Sequence, residues 1–122
     1  MKLSEDYTDG SYVIRAYSRG TVTVNNHEYQ SSLLVANHTL QPDWPVQQIE
    51  EITPQHWQQI LELKPQVIII GTGERIQFPH PSTYATVIEQ GIGVEFMDSM
   101  AACRTYNILL SEDRSVVAGI IL

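Results

Sequence analysis

The sequence predicts an α/β domain, and three features carry that prediction. From Thr53 to Leu122 helical and strand patterns alternate, the order expected when parallel strands are joined by right-handed crossovers. Within that stretch Val67-Ile68-Ile69-Ile70 is a continuous β-branched run bounded by proline and glycine, the pattern of a strand covered on both faces. Upstream, short β-branched and aromatic runs separated by turn residues predict an antiparallel N-terminal element.

In chain order, Tyr12–Tyr17, Thr21–Val24 and Ser32–Ala36 read as strands. Arg19-Gly20 turns the first into the second, and Asn25-Asn26, which tolerates positive φ, turns the chain again after the second. Asn37 to Pro45 reads as an extended loop, because each proline in Pro42-Asp43-Trp44-Pro45 removes a donor and biases its predecessor away from helix. Thr53 then caps a helix with Pro54 at its first position and Trp57, Ile60 and Leu61 on one face, ended by Pro65. After the strand at Val67–Ile70, Ser82 is the expected cap of a second helix through Val87 and Ile88, with Gly91 as its left-handed stop. Ile92–Met97 is the next strand. Asp98 or Ser99 caps a third helix with Ala102, Cys103, Tyr106, Leu109 and Leu110 on one face, and Val116–Leu122 closes the chain as a strand. No repeat, linker or low-complexity stretch divides residues 1–122, so one domain is expected.

Size and charge narrow the partners. A chain of 122 residues with 43% hydrophobic content buries about two-thirds of its unfolded surface, enough for a core without staples. Seven Lys and Arg stand against 14 Asp and Glu, for a net charge of −7. Nucleic acid and anionic lipid draw their affinity from clustered cations, so neither is an expected partner. The acidic N-terminus, Met1 to Tyr7, does not resemble a secretory signal, and no apolar run approaches the ~20 residues that span a bilayer. With Cys103 as the only cysteine, no internal disulfide forms and a reducing, cytoplasmic setting is expected.

Few residues carry chemistry. Gly71-Thr72-Gly73-Glu74-Arg75 follows the most buried strand, at the carboxyl end where open α/β sheets place a ligand crevice. It reads either as a tight turn or as a ligand loop; Ile76 replaces the third small residue of a dinucleotide fingerprint, and no P-loop lysine is present after it. Asp98 ends a strand at the same sheet edge, with Arg104 two turns into the following helix. They read as a cap and a surface arginine or a structural ion pair, or as contacts for a polar ligand or partner. Cys103, on an apolar helix face, reads as a buried structural thiol rather than a nucleophile. His27, His38, His56 and His80 share no metal-ligand spacing, so neither metal nor cofactor is expected.

Three ordered blocks carry a resemblance: Ile68-Ile69-Ile70-Gly71-Thr72-Gly73; Gly91-Ile92-Gly93-Val94-Glu95-Phe96-Met97-Asp98-Ser99; and Ala101 to Leu110 with Glu112 and Arg114. Together they resemble the Mth938-like domain family of unknown function, whose mitochondrial relatives are assembly factors for respiratory complex I. The likeness covers most of the chain and is strongest over residues 67–122. It implies a three-layer α/β domain with a mixed sheet, a β-hammerhead-like N-terminal element and a βαβ-type C-terminal part. It assigns no catalytic residue. Tyr106 and Asn107 belong to the family pattern without a role.

Two functions are expected from these features. One is a non-enzymatic adaptor or assembly-factor-like protein with a protein partner, for which Trp44 is one candidate aromatic contact, its other reading being a side chain folded back on the core. The other is a small anionic ligand-binding protein or enzyme using the crevice at Gly71–Gly73, with Arg75 or Arg104 pairing the anion. The sequence leaves the oligomeric state open.

Overall fold

In the computed structural model, which describes residues 10–122, the first three strands form a sheet of their own. Strands β1 (Ile14–Ser18), β2 (Thr21–Val24) and β3 (His27–Tyr29) pair antiparallel in the order β1-β2-β3. Gly20, at φ +83, makes the first two-residue turn, and Asn25, at φ +51, opens the second. The expected turn at Asn25-Asn26 therefore forms, and β3 is the strand it leads into. The reading of Met1 to Tyr7 lies outside the described residues.

A second sheet is mixed. Strands β4 (Leu33–Ala36), β5 (Leu40–Gln41), β6 (Val67–Thr72), β7 (Gly93–Met97) and β8 (Val116–Ile121) lie in the order β5-β4-β8-β6-β7. β6 pairs parallel with β7 and β8, while β4 is antiparallel to β8 and β5. β5 is a two-residue strand inside the segment expected to be loop. All six residues of β6 and all six of β8 are buried, as the β-branched runs require of strands covered on both faces.

Alternation divides this sheet into two faces. Leu33, Val35, Ile69, Ala118 and Ile120 pack with Ala102, Cys103, Tyr106 and Leu110 of α3 (Ser99–Ser111) and with the three-stranded sheet. Leu34, Ile68, Ile70, Val117 and Ile121 pack on the other face with Trp44, with Trp57 and Ile60 of α1 (Pro54–Leu61), and with Val87 of α2 (Ala85–Glu89). The result is the three-layer α/β arrangement. Two α3 side chains bind the small sheet to it: Asn107 exchanges two hydrogen bonds with the Ile14 backbone, at 3.1 and 2.7 Å, and the Tyr106 hydroxyl donates to the Tyr12 carbonyl at 2.7 Å.

Helix starts follow the sequence twice. Thr53 accepts from the His56 amide with Pro54 in the first turn, and Asp98 accepts from the Ala101 amide at 2.9 Å. At the second helix the expectation fails. The His80 imidazole takes the Ser82 amide, Pro81–Thr83 closes as a 3-10 turn, and α2 begins only after Tyr84. Gly91, at φ +78, ends it as expected.

Of the two readings of Trp44, the structure takes the second. It is 2% exposed and folds back on the core, so it is not a surface contact. A Cβ on Gly119 would lie 2.8 Å from its ring, so the glycine in β8 is the floor on which the indole rests. Removing a buried ring of this kind costs about 3–5 kcal/mol, whereas an exposed one costs about 1 kcal/mol or less. Urea unfolding of Trp44→Ala and Phe78→Ala should therefore give losses in those two ranges, and comparable losses would contradict this packing.

Candidate functional site

The carboxyl ends of β6 and β8 meet the first turn of α3 at Ser99. A Cβ on Gly71 would fall 2.9 Å from Ser99 Cα and from Ala102 Cβ, so the helix seats on the strand only because that position is glycine. The fully buried Ser99 hydroxyl donates to the Ile121 carbonyl and accepts the Gly73 N–H at 2.9 Å, while the Ser99 N–H donates to the Gly73 carbonyl at 2.8 Å. Thr72 is used in the same way: its hydroxyl lies 2.7 Å from the Arg75 carbonyl and 3.2 Å from that of Met97, and it accepts the Gln77 N–H at 3.0 Å. Gly73 takes φ +99 to make the turn.

A cleft of about 330 Å³ opens beside this joint, lined by Tyr17, Arg19, Gly73, Glu74, Asp98 and Met100. It brings together Gly73 and Asp98 of the residues expected from sequence. Gly71 lies buried beneath α3; Arg75 and Arg104 are exposed, and neither lines the cleft. Arg104 Nη2 instead approaches Met100 Sδ at 3.7 Å. Tyr17 and Arg19 come from the β1–β2 hairpin, more than fifty residues earlier, and no local pattern marks them. Arg19 Nε meets Glu74 at 2.6 Å across the opening, with both side chains more than half exposed, so the pair contributes at most about 1 kcal/mol.

Electrostatics beside the cleft favour neutral groups. Burial raises the Tyr17 phenol above its ordinary value, Cys103, Asp98 and Glu74 add to this, and a hydrogen bond with Ser99 opposes it. Burial, reinforced by Asp98, pushes the Cys103 thiol from 9.0 up to about 12, so at neutral pH it is a protonated core side chain and not a nucleophile. A larger cleft, about 380 Å³, lies between Ala36–Thr39 and Asp113–Val117. Among the described residues no group of three or more His, Cys, Asp and Glu is placed to hold a metal ion, and no helix is long and apolar enough to cross a membrane.

Large apolar side chains are exposed elsewhere. Ile108 of α3 is 57% exposed, and in the segment between β6 and β7 Phe78 is 68% exposed, Ile76 52% and Ile88 49%. Phe78 is not loose: its ring meets Phe96 of β7 edge-on at 6.1 Å, and Phe96 in turn contacts Tyr84 at 5.1 Å and the buried Trp57 at 6.2 Å. Ile88 sits one helical turn beyond Tyr84, on the same side of α2. In the sequence Phe78 stands in Phe78-Pro79-His80-Pro81, a two-proline run between β6 and α2 that carries no site pattern.

A three-stranded antiparallel sheet clamped by a helix onto a mixed five-stranded sheet defines a three-layer α/β domain of the Mth938-like kind. The chain belongs to the family described as "Protein of unknown function (DUF498/DUF598)", which matches residues 14–121. The "13 kDa major membrane protein" of Francisella tularensis is 33% identical over 122 residues, with 99% of each chain covered. "NADH dehydrogenase [ubiquinone] 1 alpha subcomplex assembly factor 3" of Mus musculus is 27% identical over 98% of this chain, which spans 64% of that protein's length. A solution structure from Bordetella pertussis, described as an Mth938-like domain, superposes with TM-score 0.82 at 30% identity, covering 99% of this chain and 92% of that one.

The joint generates two predictions. Ser99→Ala leaves the buried Gly73 N–H and Ile121 carbonyl without their partner and should lower unfolding free energy in urea by about 1–3 kcal/mol; an unchanged midpoint would contradict the latch. Cys103 remains protonated in the fold after the unfolded chain ionises, so its contribution to stability is complete below pH 9.0 and is lost as pH rises toward 12. The difference in stability between wild type and Cys103→Ala should therefore change with pH in that window, by up to about 1.4 kcal/mol per pH unit, and stay flat below it.

Proposed function

We propose that this chain is a non-enzymatic, assembly-factor-like adaptor, and that Ile76, Phe78 and Ile88, exposed apolar side chains of the segment between β6 and β7, mark the ridge that meets its protein partner. The observation that carries the reading is Phe78: a ring two-thirds exposed yet braced by Phe96, which itself rests on Tyr84 and Trp57. Rigid, exposed aromatic anchors make interface hot spots because little conformational freedom is lost when they are covered. The mouse relative's name as an assembly factor supports the same class of role. The net charge of −7 supports a protein partner over nucleic acid, and the lone reduced Cys103 suits a cytoplasmic setting.

The alternative, a small anionic ligand at Gly71–Gly73, has less support. The Gly73 N–H is already given to Ser99, the Thr72 hydroxyl is spent within its own loop, and the cleft places Glu74 and Asp98 where an anion would have to sit.

Affinity capture from the native cell tests the adaptor. Wild-type protein should retain a reproducible partner that a Phe78→Ser/Ile88→Ser variant of equal thermal midpoint loses. Recovery of the same proteins by both, or of none by wild type, would sink the reading.

A further inference from the structure

The strand behind the ridge has an unused edge. Among the described residues β7 pairs only with β6, and no backbone group outside β6 hydrogen-bonds to Val94, Glu95 or Phe96. Sheet edges in native proteins are normally blunted by short length, charge or cover, since an open row of N–H and C=O groups is a template for another chain. Here one face of the edge is apolar: Val94 and Phe96 point toward the α1 and α2 layer, where Phe78 stands over Phe96. The opposite face presents Glu95, which is exposed and, among the described residues, has no ion-pair partner within 4.0 Å.

We propose that this edge accepts an extended segment of another protein whose residues alternate apolar and basic, adding a sixth strand beside β7. The inference rests on the ridge being the partner surface and names what that partner brings to it. Period-two alternation lets a single strand meet both faces at once: its apolar residues lie against Phe96 and Phe78, and its Lys or Arg residues lie beside Glu95. Main-chain hydrogen bonds to β7 supply affinity, and the alternate side chains supply selectivity. With Glu74 already paired to Arg19, the chain from Arg75 to Met97 carries two carboxylates, Glu89 and Glu95, against Arg75 alone, so the local charge favours a cationic segment. A second copy is disfavoured on the same ground. Antiparallel pairing of β7 with itself about Glu95 would set two carboxylates opposite each other, between chains that each carry −7.

The probes are two synthetic octapeptides, one alternating valine and lysine and the other valine and glutamate, titrated into 15N-labelled full-length protein. The lysine peptide should shift the amides of Gly93 to Met97 and bind about tenfold or more tightly than the glutamate peptide. Phe78→Ser should weaken it by about tenfold, and Glu95→Lys, a change at an exposed position that leaves the core intact, should reverse the preference. Equal binding of the two peptides, shifts confined to residues away from β7, or a sedimenting dimer closed through β7 would each overturn the proposal. Loss of the cellular partner in Phe78→Ser/Ile88→Ser together with indifference to peptide charge would overturn this inference and leave the adaptor standing. Charge-selective binding with unchanged capture would overturn the adaptor and leave this edge site standing.

Discussion

Ser99 is the point on which the architecture turns. One buried hydroxyl joins the ends of β6 and β8 to the start of α3, accepting from Gly73 and donating to Ile121, while its own N–H returns to the Gly73 carbonyl. Three segments distant in sequence are fixed by one side chain, and the approach is possible because Gly71 has no Cβ to hold the helix away. With α3 seated, Asn107 and Tyr106 reach the backbone at Ile14 and Tyr12, 93 and 94 residues away in the chain. Those bonds dock the three-stranded sheet and close the core on that face. Gly71, Gly73, Tyr106 and Asn107, on which part of the family resemblance rests, thus have architectural roles in this chain.

The same joint bears on where function resides. A glycine turn at the carboxyl end of a parallel strand is a common place for a phosphate or other anion, because its N–H groups are free to face a ligand. Here the Gly73 N–H is satisfied inside the protein, and the adjacent cleft holds one arginine, already paired with Glu74, and a second carboxylate, Asp98. The thiol behind it is held protonated by burial. Apart from Ile108 of α3, the large exposed apolar side chains lie between β6 and β7, beside an edge strand and an aromatic stack that braces one of them. An adaptor needs a stiff surface rather than a reactive group, and the aromatic contacts supply that stiffness.

Local signals were legible where local chemistry sets the outcome. The run at Val67–Ile70 made a strand buried on both faces, Thr53-Pro54 and Asp98 began helices, and Gly91 stopped one. Each depends on groups within a few residues. Ser82 misled because a histidine two positions away competes for the same amide, a local contest that cap preferences do not resolve. Trp44 was left with two readings for a different reason. Beside two prolines it reads as a loop tryptophan, and only the pairing of β4 with β8 brings Gly119 under its ring. Tyr17, Arg19 and Phe78 were invisible as site residues because their neighbours, Ser99, Glu74 and Phe96, are supplied by tertiary pairing and by no periodic pattern.

Native-state hydrogen exchange reads the central claim, that the glycine turn is locked into the fold and does not wait open for a ligand. The Gly73 and Ser99 amides should exchange only through global unfolding, with protection equal to that of the core amides of β6. Exchange of Gly73 as fast as that of the exposed loop residues 74–78 would contradict the latch and make the glycine turn an open binding site again.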